Sequence, residues 1–353
     1  MPAPLTIRKP DDWHLHVRDG AMLKASLPFS ARHFGRGIIM PNLVPPVRTV
    51  ADAVAYRARL MAALPEGMDF TPLMTCYMTD DTDPDEVERG FRDGVFTAVK
   101  IYPANATTYS AAGVTDFRKI RRVLARMEKI GMRLLIHGEE ADPAIDVFDR
   151  EAVFIDRHLR HWLAEFPGLK MVLEHISSEV AVAFVRSAAP QLGATITPYH
   201  LMLNRTDFLG YGLRPYLYCM PIIKRERDRL ALRQAATSGD PCFFLGTDSA
   251  PHPMAKKLDV VGIPGLFNAP VALESYAQVF AEDNALDRLE AFASLNGPRH
   301  YGLEPNMATV TLVPEPWTVP EEVLVPGPEE RALIHRGGET IAWRVVGAGE
   351  AQR

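Results

Sequence analysis

The chain of 353 residues holds only three cysteines, Cys76, Cys219 and Cys242, widely spaced and with no C-x-x-C pair. That excludes a disulfide framework and a thiolate zinc site. No apolar run approaches the roughly 18 to 20 residues of a membrane span. The opening MPAPLTIRKP has no signal-peptide stretch. A basic excess is missing too. Lys and Arg total 39 against 44 Asp and Glu, a formal net charge of −5, which speaks against a nucleic-acid-binding body. No G-x-G-x-x-G follows an early strand pattern, so a dinucleotide site has no support. These absences leave a reduced, soluble, cytoplasmic globular protein as the expectation. A small anionic substrate stays open, because a few local cations suffice to bind it.

What is present is a large apolar fraction, 47%, arranged in short runs. WHLH (13–16), GIIM (37–40), DFTPLMTC (69–76), FTAVKIY (96–102), RLLIHG (133–138), KMVLEH (170–175), ATITPY (194–199) and CFFLGTD (242–248) read as strands. Segments of helical pattern stand between them. Strands of this apolar type, each followed by a helix, predict a parallel sheet covered by helices, and eight such units predict a (β/α)₈ TIM-type barrel. The proline-rich tail from about 305 reads as irregular structure and short strands packed on the barrel. The whole chain, 1–353, is expected to be a single barrel domain with that tail, 305–353, as a C-terminal extension.

Polar residues recur at the C-terminal ends of these runs: His14 and His16, Asn42, Lys100, His137, His175 and Asp248. In a parallel barrel those ends converge on the face where active sites are built. His14 and His16 are two apart in a strand and point to one side, so both imidazoles can reach one cation. Taken alone, the pair reads equally well as two hydrogen-bonded buried histidines. With His137, His175 and Asp248 on neighbouring strand ends, a divalent metal satisfies the whole set. Lys100 ends the apolar run AVKIY, where a buried ammonium is costly. It is a snorkelling lysine, a Schiff-base amine, a cation for an anionic substrate, or an amine modified to a metal-bridging carbamate. The spread of His, Lys and Asp over different strands favours the carbamate. Asp248, a turn or cap residue by itself, becomes in this company a metal ligand and a proton carrier.

The motifs WHLHVRDG (13–20), MPNLVPP (40–46), KIYPANATTYS (100–110), IHGE (136–139), LEH (173–175), TPYHLMLNR (197–205), GTDSAPH (246–252) and GLFNAP (265–270) together resemble the amidohydrolase superfamily, and within it the bacterial type II dihydroorotases. The resemblance implies a distorted (β/α)₈ barrel with two Zn²⁺ per subunit. It implies His14, His16 and Asp248 on the more buried zinc and His137 and His175 on the outer one. Carboxylated Lys100 and a hydroxide would bridge them. It also implies that Arg18, Asn42 and His252 bind the substrate carboxylate, that Met220 contacts the ring through its backbone, and that Thr107 and Thr108 tip a loop closing over substrate. Pro264 falls where the family often has a small residue whose backbone holds the ring amide. Proline keeps the carbonyl but offers no N–H there. A homodimer is a further implication.

The reaction so implied is the reversible closure of N-carbamoyl-L-aspartate to L-dihydroorotate, a step of pyrimidine synthesis. A dihydropyrimidinase, hydantoinase or allantoinase would share the metal set without needing the Arg18, Asn42 and His252 clamp. A metal-free scaffold relative would have lost ligands, and all six ligand positions carry suitable residues. A zinc deaminase does not explain the lysine position or the PANATT loop. Glu139 reads as support for a ligand or as a simple turn acid. His33, His158, His161, His200, His300 and His335 read as structural or surface residues, with His200 closest to a strand end.

Overall fold

Short apolar runs buried on both faces become the strands of one parallel sheet. The computed structural model describes residues 3–210, 212–327 and 330–346. A first strand, β1 (Leu5–Arg8), lies outside the barrel. The barrel strands are β2 (Asp12–Leu15), β3 (Arg36–Ile39), β4 (Thr71–Tyr77), β5 (Ala98–Ile101), β6 (Arg133–Ile136), β7 (Met171–Leu173), β8 (Leu192–Ile196) and β9 (Phe243–Leu245). They form one eight-stranded sheet in chain order, every neighbouring pair parallel. The ring closes beyond β9. His16 N donates to Ser249 O at 3.0 Å and Asp248 N to His14 O at 2.9 Å. The backbone that seals the barrel is therefore the backbone that carries the candidate ligands.

The floor of the barrel is apolar. Trp13, Ile38, Ala98, Leu135, Val172 and Phe244 pack into one interior cluster. Two residues further along the same strand faces stand Lys100 after Ala98, His137 after Leu135 and Glu174 after Val172, as the strand period of two requires. Strand β2 departs from this regularity, with a register shift between Asp12 and Leu15. Such irregularities re-aim side chains beside active sites. Here Trp13 fills the floor while His14 opens toward the cavity above. The outer faces of the strands and the helices form a second, larger core that includes Val99, Ile136, Leu173, Ile196 and Leu245.

The helix Arg121–Ile130 is preceded by turn structure in which Thr115 Oγ1 and Asp116 N donate to the Asp80 carboxylate. In the tail, β10 (Thr309–Val313) pairs antiparallel with β1 on one side and with Arg344–Val346 on the other. Val319, Val325, Ile334 and Ile341 pack with Met22, Ala25 and Phe267. Residues 347–353 of the expected extension lie outside the described residues. Among the described residues no helix is long and apolar enough to cross a membrane.

Gly297 marks the closest approach of the C-terminal helix to the barrel floor. A Cβ there would sit 1.9 Å from Trp13 Nε1, on an indole that is fully buried and stacked on Tyr301 with centroids 4.2 Å apart. Relief requires moving the helix or the indole, and overpacking of this kind costs about 1–3 kcal/mol. Gly297→Ala should lower the unfolding free energy by that amount in a urea titration. An unchanged midpoint would show that Trp13 is not a fixed part of the floor.

Candidate active site

Six of the expected residues meet above the floor. His14 lies in β2 and Lys100 in β5, while His16, His137, His175 and Asp248 stand one to three residues beyond β2, β6, β7 and β9. All six are at least nine-tenths buried. His14 Nε2 faces His16 Nε2 at 3.2 Å, and Asp248 Oδ1 lies 3.2 Å from the first and 3.1 Å from the second. His137 Nδ1 faces His175 Nε2 at 3.2 Å. Two ligand nitrogens on one tetrahedral ion with bonds of about 2.0–2.1 Å stand about 3.3 Å apart, so both pairs have the spacing of donors around a cation. His14, Glu174 and His175 also bring donor atoms within 4.8 Å of one another. The donor set thus fits a divalent metal.

Electrostatics point the same way. Burial pulls the His14 imidazole down, but the Glu174 and Asp248 carboxylates outweigh it and raise it to about 9. That spot favours positive charge. Asp248 is held well below the usual carboxylate range, its desolvation overcome by His14 and His16. Burial lowers Lys100 against the pull of Glu174 and Asp248, which moves the amine toward its neutral, nucleophilic form. His16 falls to about 3 through burial, helped by Arg18, and a neutral imidazole is the form that ligates metal.

Backbone strain concentrates here. Among the described residues seven non-glycine positions have positive φ, and Arg18 (60°), His175 (41°) and Asp248 (45°) belong to the site, with Asn105 (65°) and Tyr109 (53°) in the loop over it. The left-handed region costs an L-residue of order 1–3 kcal/mol. At β7 the benefit is visible: the strand period brings Glu174 inside, and the left-handed turn at His175 brings the next side chain in as well. His175 N then donates to Thr195 Oγ1 at 2.7 Å.

Sequence reasoning missed Glu174. Its Oε1 faces His14 Nδ1 at 3.2 Å and its Oε2 contacts Lys100 Nζ. Glu139, left undecided in the sequence, bonds His137 Nε2 at 2.9 Å. Each carboxylate engages the far nitrogen of a candidate ligand and leaves the other nitrogen facing the centre, which fixes tautomer and ring orientation. Counting by two from Val172 would have found Glu174. Asp12 was missed as well. Its carboxylate takes Thr247 N at 2.9 Å, Thr247 Oγ1 at 2.5 Å and His14 N at 3.2 Å, tying the start of the barrel to its end. Tyr199 was also missed, although it donates to Asp248 Oδ2 at 2.6 Å. His200 is structural: its ring nitrogens bond Thr197 Oγ1 and Pro221 O.

The expected substrate residues surround the same space. Arg18, Asn42, Thr107, Thr108, Met220 and Pro264 line the inner cavity with His14, His16, His137, His175 and Asp248. Arg18 does not pair with Asp11 or Asp19, which go to Arg36 and Arg59. Its Nε donates to Pro251 O at 3.1 Å and its Nη2 to His252 Nε2 at 2.8 Å. Burial and Arg18 hold His252 well below its ordinary value, so it is a neutral acceptor that aims the guanidinium. His252 itself borders an outer cavity of about 800 Å³ rather than the inner one. Thr108 closes the inner cavity: its Oγ1 donates to Pro264 O at 3.0 Å, and Asn42 Nδ2 donates to Thr108 O at 3.0 Å.

The chain matches the amidohydrolase family over residues 10–311. It is 59% identical over 347 residues to a dihydroorotase of Parasynechococcus marenigrum (strain WH8102), covering 98% of this chain and 99% of the relative. Dihydroorotase of Saccharomyces cerevisiae, solved in complex with 5-fluoroorotic acid, superposes with a TM-score of 0.90 at 31% identity, covering 98% of this chain and 99% of that one. An L-hydantoinase from Arthrobacter aurescens reaches a TM-score of 0.75 at 14% identity over 96% of this chain and 87% of its own, a likeness of fold alone. By barrel, site and sequence, the chain belongs to the amidohydrolase family, among its dihydroorotases.

Proposed function

We propose that the protein interconverts N-carbamoyl-L-aspartate and L-dihydroorotate with release or uptake of water, a step of pyrimidine nucleotide synthesis in the cytoplasm. The observation that carries this reading is the juxtaposition in one cavity of the histidine and aspartate donors with a buried, aimed Arg18. Arg18 and Asn42 hold the substrate carboxylate, with His252 fixing the guanidinium from behind. A charge-assisted, two-pronged grip of this kind sets orientation as well as affinity. The backbone at Met220 and Pro264 receives the ring edge once Thr108 releases the Pro264 carbonyl.

We assign two zinc ions to the centre. His14, His16 and Asp248 would hold the inner ion, His137 and His175 the outer one, and Lys100, as a carbamate formed from its neutral amine and carbon dioxide, would bridge them. Cations held there supply the Lewis acidity that polarises an amide carbonyl and makes water a competent nucleophile at neutral pH. Asp248 moves the proton. In ring opening its carboxylate takes one proton from the attacking water and delivers it to the departing ring nitrogen. In ring closure it takes the proton of the carbamoyl nitrogen as that nitrogen attacks the side-chain carboxyl group, which leaves its oxygen as water. Thr107 and Thr108, on the loop over the cavity, exclude bulk water while this happens.

Two measurements check the reading. Turnover of dihydroorotate should exceed that of dihydrouracil, which lacks the carboxylate, by at least about 10² in kcat/KM. Arg18→Met should remove about that factor for dihydroorotate alone. Equal use of both compounds by the unaltered protein would assign it to the hydantoinase type instead. Asp248→Asn should lower kcat by about 10² or more, with metal content measured alongside. Unchanged kcat in metal-replete Asp248→Asn would mean that another group carries the proton.

A further inference from the structure

The Asp248 carboxylate is held at both ends. Oδ1 faces His14 and His16 at 3.2 and 3.1 Å, and Oδ2 accepts the Tyr199 hydroxyl at 2.6 Å. The backbone of Asp248 is already fixed by its left-handed φ of 45° and by the bond from its N–H to His14 O. What stays free in an aspartate so placed is rotation of the carboxylate plane, a broad and nearly two-fold torsion. The phenol removes that freedom.

The phenol is itself immobilised. Tyr199 lies in the short helix Pro198–Met202, capped where His200 N donates to Thr197 Oγ1 at 3.1 Å. Its ring is fully buried, 4.7 Å from His200 and 6.3 Å from His335 between centroids. It packs in one cluster with Met220 and Leu266. The cluster that includes the cavity-lining Met220 thus also holds the phenol against the carboxylate.

We propose that Tyr199 is a positioning residue for proton transfer, its hydroxyl orienting Asp248 so that Oδ2 presents one remaining lone pair to the reacting atoms. A carboxylate oxygen has two acceptor directions. The phenol occupies one and the transferred proton takes the other. The Tyr199 O–H bond does not break, because a phenol with a reference pKa of about 10 stays a donor at neutral pH. The inference rests on the reading of Asp248 as the proton carrier. It adds a residue whose absence from the ligand set would otherwise mark it as ordinary core.

The test compares Tyr199→Phe, Asp248→Asn and the double variant as full-length, metal-loaded proteins, with rates in both directions and metal content per chain. Phenylalanine keeps the ring and its packing. Tyr199→Phe should lower kcat about 10- to 100-fold in both directions. KM should move by less than about threefold, since substrate binding is untouched, and metal content should be unchanged. The double variant should be no slower than Asp248→Asn alone, because the phenol acts only through that carboxylate. Wild-type kcat in Tyr199→Phe, losses that multiply in the double variant, or a loss that tracks missing metal would each overturn the proposal. Full activity in Asp248→Asn would instead remove the reading on which it rests, so the two failures are distinguishable.

Discussion

Everything at the top of this barrel follows from the burial of ionisable groups over an apolar floor. His14, Lys100, His137, Glu174, His175 and Asp248 are each no more than 5% exposed, directly above the cluster of Trp13, Leu135, Val172 and Phe244. Removing charges from water is costly unless they are paired or coordinated. The structure meets this in part with carboxylates: Glu174 beside His14 and Lys100, Glu139 behind His137, and Asp248 between two histidines. What these pairings leave over is a set of nitrogens and oxygens facing inward at the spacing of metal ligands. Cation binding is the arrangement that satisfies both halves of the constraint.

The same constraint explains where the chain accepts strain. A regular strand end would bring alternate side chains inward, and the left-handed turn at His175 adds one that periodicity alone would turn away, while Arg18 and Asp248 hold left-handed conformations beyond β2 and β9. Such conformations persist only where the surroundings over-determine them. Here those surroundings are backbone bonds of the closing barrel, Asp12 on Thr247, and Thr195 on His175. Strain continues into the loop at Asn105 and Tyr109. There Thr108 uses the Asn42 amide and the Pro264 carbonyl that the proposed substrate also needs. On the proposed function, substrate and loop residues would compete for these two groups, so binding would require Thr108 to release them.

Much of this was legible in the letters. The eight apolar runs and their polar termini gave the barrel, because parallel strands buried on both faces have a composition that little else produces. The candidate ligand positions followed from where those runs stop. Glu174 was hidden by its neighbour: in LEH the histidine drew the reading, and a left-handed φ that lets both residues face inward has no signature in the residue types. Tyr199 was hidden for a different reason. It sits in a short helix beyond β8, and only the tertiary fold sets its hydroxyl against an aspartate 49 positions away. The role of His252 in aiming Arg18 was likewise beyond the sequence, since it depends on which nitrogen of a neutral imidazole meets the guanidinium.

On the proposed function, the buried donors hold two catalytic metal ions. The most direct test is metal per chain, measured on active protein and followed through chelation and readdition of zinc. About two equivalents should accompany full turnover of dihydroorotate. Activity should vanish as metal is withdrawn and return when zinc is restored, with the chain folded throughout. Full turnover by protein holding less than about a tenth of an equivalent of any divalent metal would contradict metal-dependent catalysis at this site.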